Sequence, residues 1–361
     1  MSTPQTLGEV KQQRKIDGYP LDGSPTDVID GAAQPLRYVD PQTGLPLVER
    51  DGRLVRDSDG TPVAPCVGKV ADFVGGETYA QSFSFQWTKT KIPRMLDPKL
   101  MRLHAEELDL RTRFHDRDLT GYRSLEVGAG LGFDTTYLLG RGVSEHHATD
   151  LSASIFRAAE LIDDPRVRFA RADVNALPFE PESFDLVFCH RMIQHTPHPA
   201  ATLARVARMV RPGGLLFIHS YHKSKYFSRA SKYKYRPITT RVPDRLLWSA
   251  IMGSSWLMRG ATRTVSRMKA INGEELARRW SPWVLQGDHM ISGLDAKTVR
   301  RLEAEITFDA LTPTYDLPMY SKDFRDLIES MGFAIEHIED RPWFPLWALA
   351  TKSRGHSSRG R

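Results

Sequence analysis

The chain has 361 residues, with 50 Lys and Arg against 44 Asp and Glu, a formal net charge of +6. This length can bury a full core and still carry further modules. No apolar run approaches the roughly 20 residues of a bilayer span, and the start Met1-Ser2-Thr3-Pro4-Gln5 lacks the apolar stretch of a secretory signal. Cys66 and Cys189, far apart, suit neither a disulfide framework nor a zinc site, so a cytoplasmic protein is the simplest expectation.

Residues 1–35 form a polar leader with scattered Gly and Pro and no sustained periodicity. Within 36–80, short strand-like pieces at 36–39, 45–48, 52–55 and 61–63 are punctuated by Asp51-Gly52 and Asp59-Gly60, which predicts a small β-rich accessory module with tight hairpin turns. Over 81–120 a linker carrying Phe83, Phe85 and Trp87 leads to a helix. Asp97 can cap that helix and Pro98 suits its first position. Leu100, Leu103 or His104, and Leu108 supply its buried stripe. The three aromatics of the linker either dock the hairpin module on the core or help to cover a bound ligand.

The stretch Ser124-Leu125-Glu126-Val127-Gly128-Ala129-Gly130-Leu131-Gly132 reads as a buried strand ending in a glycine turn, with a helix able to start at Phe133. Glycines at alternate positions let the backbone approach a ligand closely, because a side chain there would collide with it. The spacing is G-x-G-x-G, with Phe133 where a dinucleotide fold would place its third glycine. A second strand ends in Asp150, whose carboxylate can accept from both hydroxyls of a ribose. Strands follow at 167–170 and 184–190, the latter almost wholly apolar, as burial on both faces requires. Leu203, Val206, Ala207 and Val210 have helical spacing, and Arg211-Pro212-Gly213-Gly214 stops that helix and releases the strand 215–218. Strands alternating with helices predict an α/β fold with a doubly wound, mostly parallel sheet.

These motifs resemble the class I S-adenosylmethionine-dependent methyltransferases over roughly 121–221, and again at 317–352. The motifs in order are LEVGAGLG at 125–132, ATD at 148–150, ADVNALPF at 172–179, FDLVFC at 184–189 and RPGGLLFI at 211–218. The resemblance implies a seven-stranded sheet whose last strand, near 345–350, is antiparallel. It implies S-adenosyl-L-methionine as cofactor, with Glu126, Gly128, Gly130 and Gly132 bordering the methionine part. Asp150 would hold the ribose hydroxyls, Leu151 would pack on the adenine, and Asp173 would accept from the adenine amino group, with the Val174 amide beside it. Helices just before the first strand often cover the cofactor in this family. Residues 36–80 also resemble a zinc-ribbon-like module found ahead of some bacterial methyltransferase cores. Asp40-Pro41-Gln42-Thr43-Gly44 stands where the metal cysteines would open it, and a lone Cys66 cannot complete four ligands, so no metal is expected.

Between the fifth strand and a final helix starting near Tyr320 lies an insertion, 222–316, which the minimal fold does not need. It holds 17 Lys and Arg against 9 Asp and Glu. Lys223, Lys225, Arg229, Lys232, Lys234, Arg236, Arg241 and Arg245 interleave with Tyr226, Phe227, Tyr233 and Tyr235. The pattern suits an anionic substrate, a nucleic acid, an acidic membrane surface, or merely a solvated helical lid. Trp248, Trp256, Trp280 and Trp283 predict packing, against a pocket or in a homodimer contact. The tail 353–361 reads as basic and disordered.

Two functions are carried forward. The first is methyl transfer to oxygen or nitrogen of a small molecule such as a natural product, sugar or lipid-like precursor. The second is RNA methylation through the basic aromatic insertion, weakened because His190-Arg191-Met192-Ile193 replaces the N/D-P-P-Y/F tetrapeptide of amino-directed nucleic-acid methyltransferases. A cofactor-binding protein without chemistry is a third reading. For catalysis, His195 is the first candidate base and His190 the second, both on the segment leaving the fourth strand at its ligand-facing end. The bland alternative is that His195 only bonds its loop and shapes the pocket, with Arg191 orienting an acidic group.

Overall fold

The computed structural model describes residues 36–76, 78–225, 230–286 and 291–354. The leader 1–35, residues 355–361 of the tail, and Tyr226, Phe227 and Arg229 of the basic cluster lie outside the described residues. Four short strands come first: β1 (Leu47–Arg50), β2 (Arg53–Arg56), β3 (Pro62–Val67) and β4 (Val70–Asp72). They form an antiparallel meander. Asp40 is buried and closes the first turn, accepting from Gln42 N at 2.9 Å, Thr43 Oγ1 at 2.8 Å and Arg56 Nε at 2.7 Å. Its carboxylate thus serves the turn itself.

The linker holds α1 (Gln81–Phe85), one wider turn at Gln86–Thr90, and α2 (Ile92–Met95). Helix α3 (Pro98–Thr112) begins as predicted, with the Asp97 carboxylate accepting from Lys99 N and Leu100 N at 2.9 and 3.2 Å. Its buried stripe is Leu100, Met101, His104, Ala105 and Leu108, so His104 rather than Leu103 faces inward. There follow β5 (Arg123–Val127), α4 (Phe133–Gly140), β6 (Glu145–Asp150), α5 (Ser154–Leu161), β7 (Val167–Arg171), β8 (Phe184–Cys189), α6 (Pro199–Arg208) and β9 (Val210–Ser220). The insertion contributes α7 (Lys232–Thr239), α8 (Asp244–Ser266), α9 (Gly273–Trp280) and α10 (Ala296–Leu311). The chain then closes with α11 (Ser321–Ser330), β10 (Phe333–Glu339) and β11 (Leu346–Lys352).

One mixed sheet runs through the molecule in the order β1-β2-β3-β4-β7-β6-β5-β8-β9-β11-β10. Strands β7, β6, β5, β8 and β9 are parallel, and β11 is antiparallel to both neighbours. The sequence predicted seven strands and a separate hairpin module. Instead β4 pairs in parallel with β7 (Val70 with Phe169, Ala71 with Ala170), and the sheet grows to eleven strands. The physical reason is that β7 would otherwise present an unpaired backbone edge. Tyr38 fixes the junction, packing on Phe73 and Phe179 at centroid distances of 5.6 and 5.5 Å.

The period-2 alternation of β8 sends Val187 and Cys189 to one face of the sheet and Leu186 and Phe188 to the other. The first face is covered by α6 and α11 through Leu203, Val206, Phe324 and Ile328. The second is covered by α3, α4 and α5 through Leu108, Leu138 and Ile155. The switch in direction falls between β5 and β8, so a crevice opens there at the carboxyl ends of the strands.

The insertion has a small core of its own, in which Leu247, Ile251, Trp283, Ala304, Phe308 and Leu311 meet Phe85 of α1. Buried Glu303 accepts from Arg259 Nε at 2.9 Å and Trp283 Nε1 at 3.0 Å. Of the four tryptophans, Trp248 packs on Phe308 and Trp283 is buried, whereas Trp256 and Trp280 are 78% and 56% exposed. Two members of the basic cluster turn inward, whereas Lys223, Lys225, Lys234, Arg241 and Arg245 are exposed. Lys232 and Tyr233 donate to Asp316 at 2.6 and 2.9 Å, and Arg236 donates to the carbonyls of Ala310 and Pro313. No helix among the described residues is long and apolar enough to cross a membrane.

Candidate active site

The glycine turn sits at the end of β5. Gly128 N and Ala129 N donate to Thr149 O at 2.8 and 3.0 Å, and Gly130 N donates to Asp150 Oδ2 at 2.8 Å. A β-carbon on Gly128 would stand 2.6 Å from Met192 Cγ, and one on Gly130 would stand 2.9 Å from Trp87 Cε2. Only bare backbone fits between these side chains and the crevice. Gly132 has φ +84°, and a β-carbon there would overlap Ile162 Cδ1. Gly132→Ala is therefore expected to destabilise the fold by about 2–4 kcal/mol, from left-handed strain plus overpacking. Thermal denaturation checks this; an unchanged midpoint would mean that the turn relaxes freely.

The crevice spans about 1150 Å³ counted out to its open mouth. Gly128, Asp150, Leu151, Val174, His190 and His195 all line it. Asp150 Oδ1 accepts from Ser152 N and Oγ at 2.7 and 2.6 Å and Oδ2 accepts from Gly130 N, so the carboxylate is firmly anchored and Oδ2 keeps a lone pair free. Burial raises its pKa, and the bonds from Ser152 and Gly130 oppose that rise.

Other predicted residues stand back from the crevice lining. Glu126 is buried behind the turn, where Oε2 accepts from Thr135 Oγ1 at 2.5 Å and lies 3.1 Å from His146 Nε2, while Oε1 is buried without a partner. Asp173 accepts from Asn175 N and Nδ2, both at 2.8 Å, closing a turn before Val174. Gly130 and Gly132 act through their backbone beneath Trp87 and Ile162. The linker aromatics do not dock the hairpin strands. Trp87 packs on Phe133 at 5.8 Å, Phe83 on His195 at 5.0 Å and Phe85 on Phe308 at 5.6 Å, so two wall the crevice and one holds the insertion.

The two candidate histidines differ sharply. Arg111 Nη1 donates to His190 Nε2 at 2.7 Å, which leaves the proton on Nδ1 to be donated to Asp134 Oδ2 at 3.0 Å. Both nitrogens are occupied, and burial takes the His190 pKa down to about 4 against the pull of Asp134. His195 Nδ1–H donates to the Tyr315 carbonyl at 2.9 Å. Its Nε2 is left with a lone pair and no hydrogen-bond partner among the described residues. The ring is held edge-on by Phe83 and by Tyr221 at 5.5 Å. Burial lowers its pKa too, so it is neutral at pH 7.

Sequence reasoning missed a buried charge network behind these residues. Asp134 bridges His104 Nε2 at 2.6 Å and His190 Nδ1. Burial alone would raise it, but the two imidazoles hold it well below the usual carboxylate range. Glu107 takes Arg111 and Arg191, the latter at 2.7 Å, and these guanidiniums overcome its burial to keep it ionised. Lys91 and Arg94 also line the crevice. The only advance signals were a histidine on an apolar stripe and an acid two residues past the last glycine.

Residues 125–218 match the family model described as a methyltransferase domain. Among curated relatives, the ubiquinone biosynthesis O-methyltransferase of Paracidovorax citrulli is 32% identical over 111 residues, 29% of this chain and 46% of that one. That of Pseudomonas fluorescens is 27% identical over 204 residues, 55% and 74% of the two chains. Phosphoethanolamine N-methyltransferase 2 of Caenorhabditis elegans is 31% identical over 135 residues, 36% and 30% of the two. The chain spans about half the length of the first of these relatives. A solved S-adenosylmethionine dependent methyltransferase from Mesorhizobium loti superposes with a TM-score of 0.41 at 18% identity, covering 69% of this chain and 98% of that one.

Proposed function

We propose that the protein transfers a methyl group from S-adenosyl-L-methionine to oxygen, or alternatively nitrogen, of a small molecule. The observation that carries this reading is the meeting in one crevice of Asp150, anchored on the glycine turn, with the unpartnered Nε2 of His195. The methyltransferase-domain match over 125–218 and the O-methyltransferase relatives support it. The cofactor fits the residues present: Gly128 and Gly130 offer backbone where a β-carbon would collide, and Asp150 Oδ2 keeps a lone pair for a ribose hydroxyl. Leu151 and Val174 offer the adenine an apolar slot beside Asp173.

When bound, the cofactor supplies an electrophilic methyl group. The chain's own task is then to align the acceptor and hold its proton, since in-line placement provides most of the rate. His195 Nε2 accepts the proton of an acceptor hydroxyl while Tyr315 O keeps the ring in that tautomer. Phe83 and Tyr221 keep water from the reacting edge. The insertion acts as the lid over the site, and the N-terminal strands act as a metal-free, zinc-ribbon-like cover for the sheet edge.

Isothermal titration with S-adenosylhomocysteine, followed by an acceptor screen for conversion of S-adenosylmethionine, tests the proposal; a folded protein that binds no S-adenosylhomocysteine refutes it. The RNA alternative is not favoured, because Lys232 and Arg236 are engaged inside the insertion. RNA oligomers are expected to bind weakly. A steep loss of tight binding between about 50 and 200 mM salt would reverse that preference.

A further inference from the structure

Two cations in the crevice have no use in the scheme above. Lys91 is only 6% exposed, and its Nζ lies 3.6 Å from the centroid of the Trp87 ring. Among the described residues no carboxylate lies within ion-pair distance of it, and its Nζ makes no hydrogen bond. Arg94 lies one turn on, its guanidinium 5.4 Å from the Phe133 ring centroid. Its Nε is buried without a partner, and no ion pair or side-chain hydrogen bond engages it among the described residues. Asp309 and Glu305, and Glu107 for Arg94, act on these cations only from beyond ion-pair distance, and stacking on an aromatic face offsets the cost of burial only in part. Such groups call for a ligand that brings a direct anionic partner.

Their position indicates which ligand. Both feel Asp309 and Glu305 of α10, and Asp309 in turn feels His195. The segment carrying them is tied to α10 by Arg301 Nη2, which donates to Thr90 O at 3.0 Å. Lys91 and Arg94 therefore line the same crevice as His195 and Asp309 of the insertion. We infer that Lys91 and Arg94 form a carboxylate-binding subsite for the methyl acceptor, which makes the acceptor an anionic molecule. This rests on the methyltransferase reading.

The wall is aromatic, through Phe83, Trp87 and Tyr221, so benzoate is a suitable probe and benzamide its uncharged match. With S-adenosylhomocysteine bound, wild-type protein is expected to bind benzoate at least 10-fold more tightly than benzamide. Lys91→Met should abolish that preference and Lys91→Arg should keep it, with S-adenosylhomocysteine affinity within about twofold of wild type in both. Arg94→Met should weaken benzoate in the same way, guarding against a folding defect confined to one variant. Equal binding of the two probes by wild type overturns the inference, as does a preference that survives Lys91→Met. It is also overturned if Lys91→Met costs S-adenosylhomocysteine 10-fold or more while leaving 5′-methylthioadenosine untouched, since the bound carboxylate would then be the cofactor's. Failure of wild type to bind S-adenosylhomocysteine removes the methyltransferase reading itself and the acceptor assignment with it. Loss of the benzoate preference alone removes only the inference.

Discussion

Asp150→Ala is expected to weaken S-adenosylhomocysteine binding roughly 30- to 150-fold, equivalent to about 2–3 kcal/mol for leaving buried donors poorly paired. The structure adds a second effect. The carboxylate also accepts from Gly130 N, Ser152 N and Ser152 Oγ, so its removal takes away one of the bonds that tie the glycine turn to β6. Stability should fall as well, by about 1–2 kcal/mol. Thermal denaturation reads that loss separately, and isothermal titration on the folded Ala variant decides the matter; wild-type affinity there would sink the ribose assignment.

Local pattern was readable where the structure uses short-range rules. Asp97 capped its helix, the alternation in 184–189 matched burial on two faces, and the glycine turn and Asp150 met because parallel strands β5 and β6 are neighbours. The charge network was not readable, because its members come from elements brought together only by tertiary packing. His104 and His190 lie 30 and 56 residues from Asp134, and no periodicity links them. The same limit explains the sheet. The hairpin turns at 51–52 and 59–60 were visible, but not the pairing of β4 with β7, which joins residues about a hundred positions apart. The basic cluster misled for a related reason. Spacing gives charge density, while only the fold shows that Lys232 and Arg236 face Asp316 and backbone carbonyls rather than solvent.

His195→Gln should lower kcat by roughly 10²-fold or more while leaving cofactor affinity near normal. Glutamine can still donate to the Tyr315 carbonyl and fill much of the space between Phe83 and Tyr221, but it cannot take a proton. The pH profile gives an independent reading. Burial, the largest influence on this ring, lowers its pKa, while Asp316 and Asp309 oppose the shift. A base must be neutral to act, so activity should be flat from about pH 7 upward and fall only below the ordinary histidine value near 6.5. The sign for stability is the same: protonation favours the unfolded chain, so stability is lost as pH falls below the unfolded value. His190 should not produce this limb, since Arg111 and Asp134 occupy both its nitrogens. If His195→Gln instead weakens S-adenosylhomocysteine and spares kcat at saturating cofactor, the ring only shapes the pocket. An anionic acceptor that attacks through its own carboxylate would need no base, and Lys91 and Arg94 would then outweigh His195 in turnover.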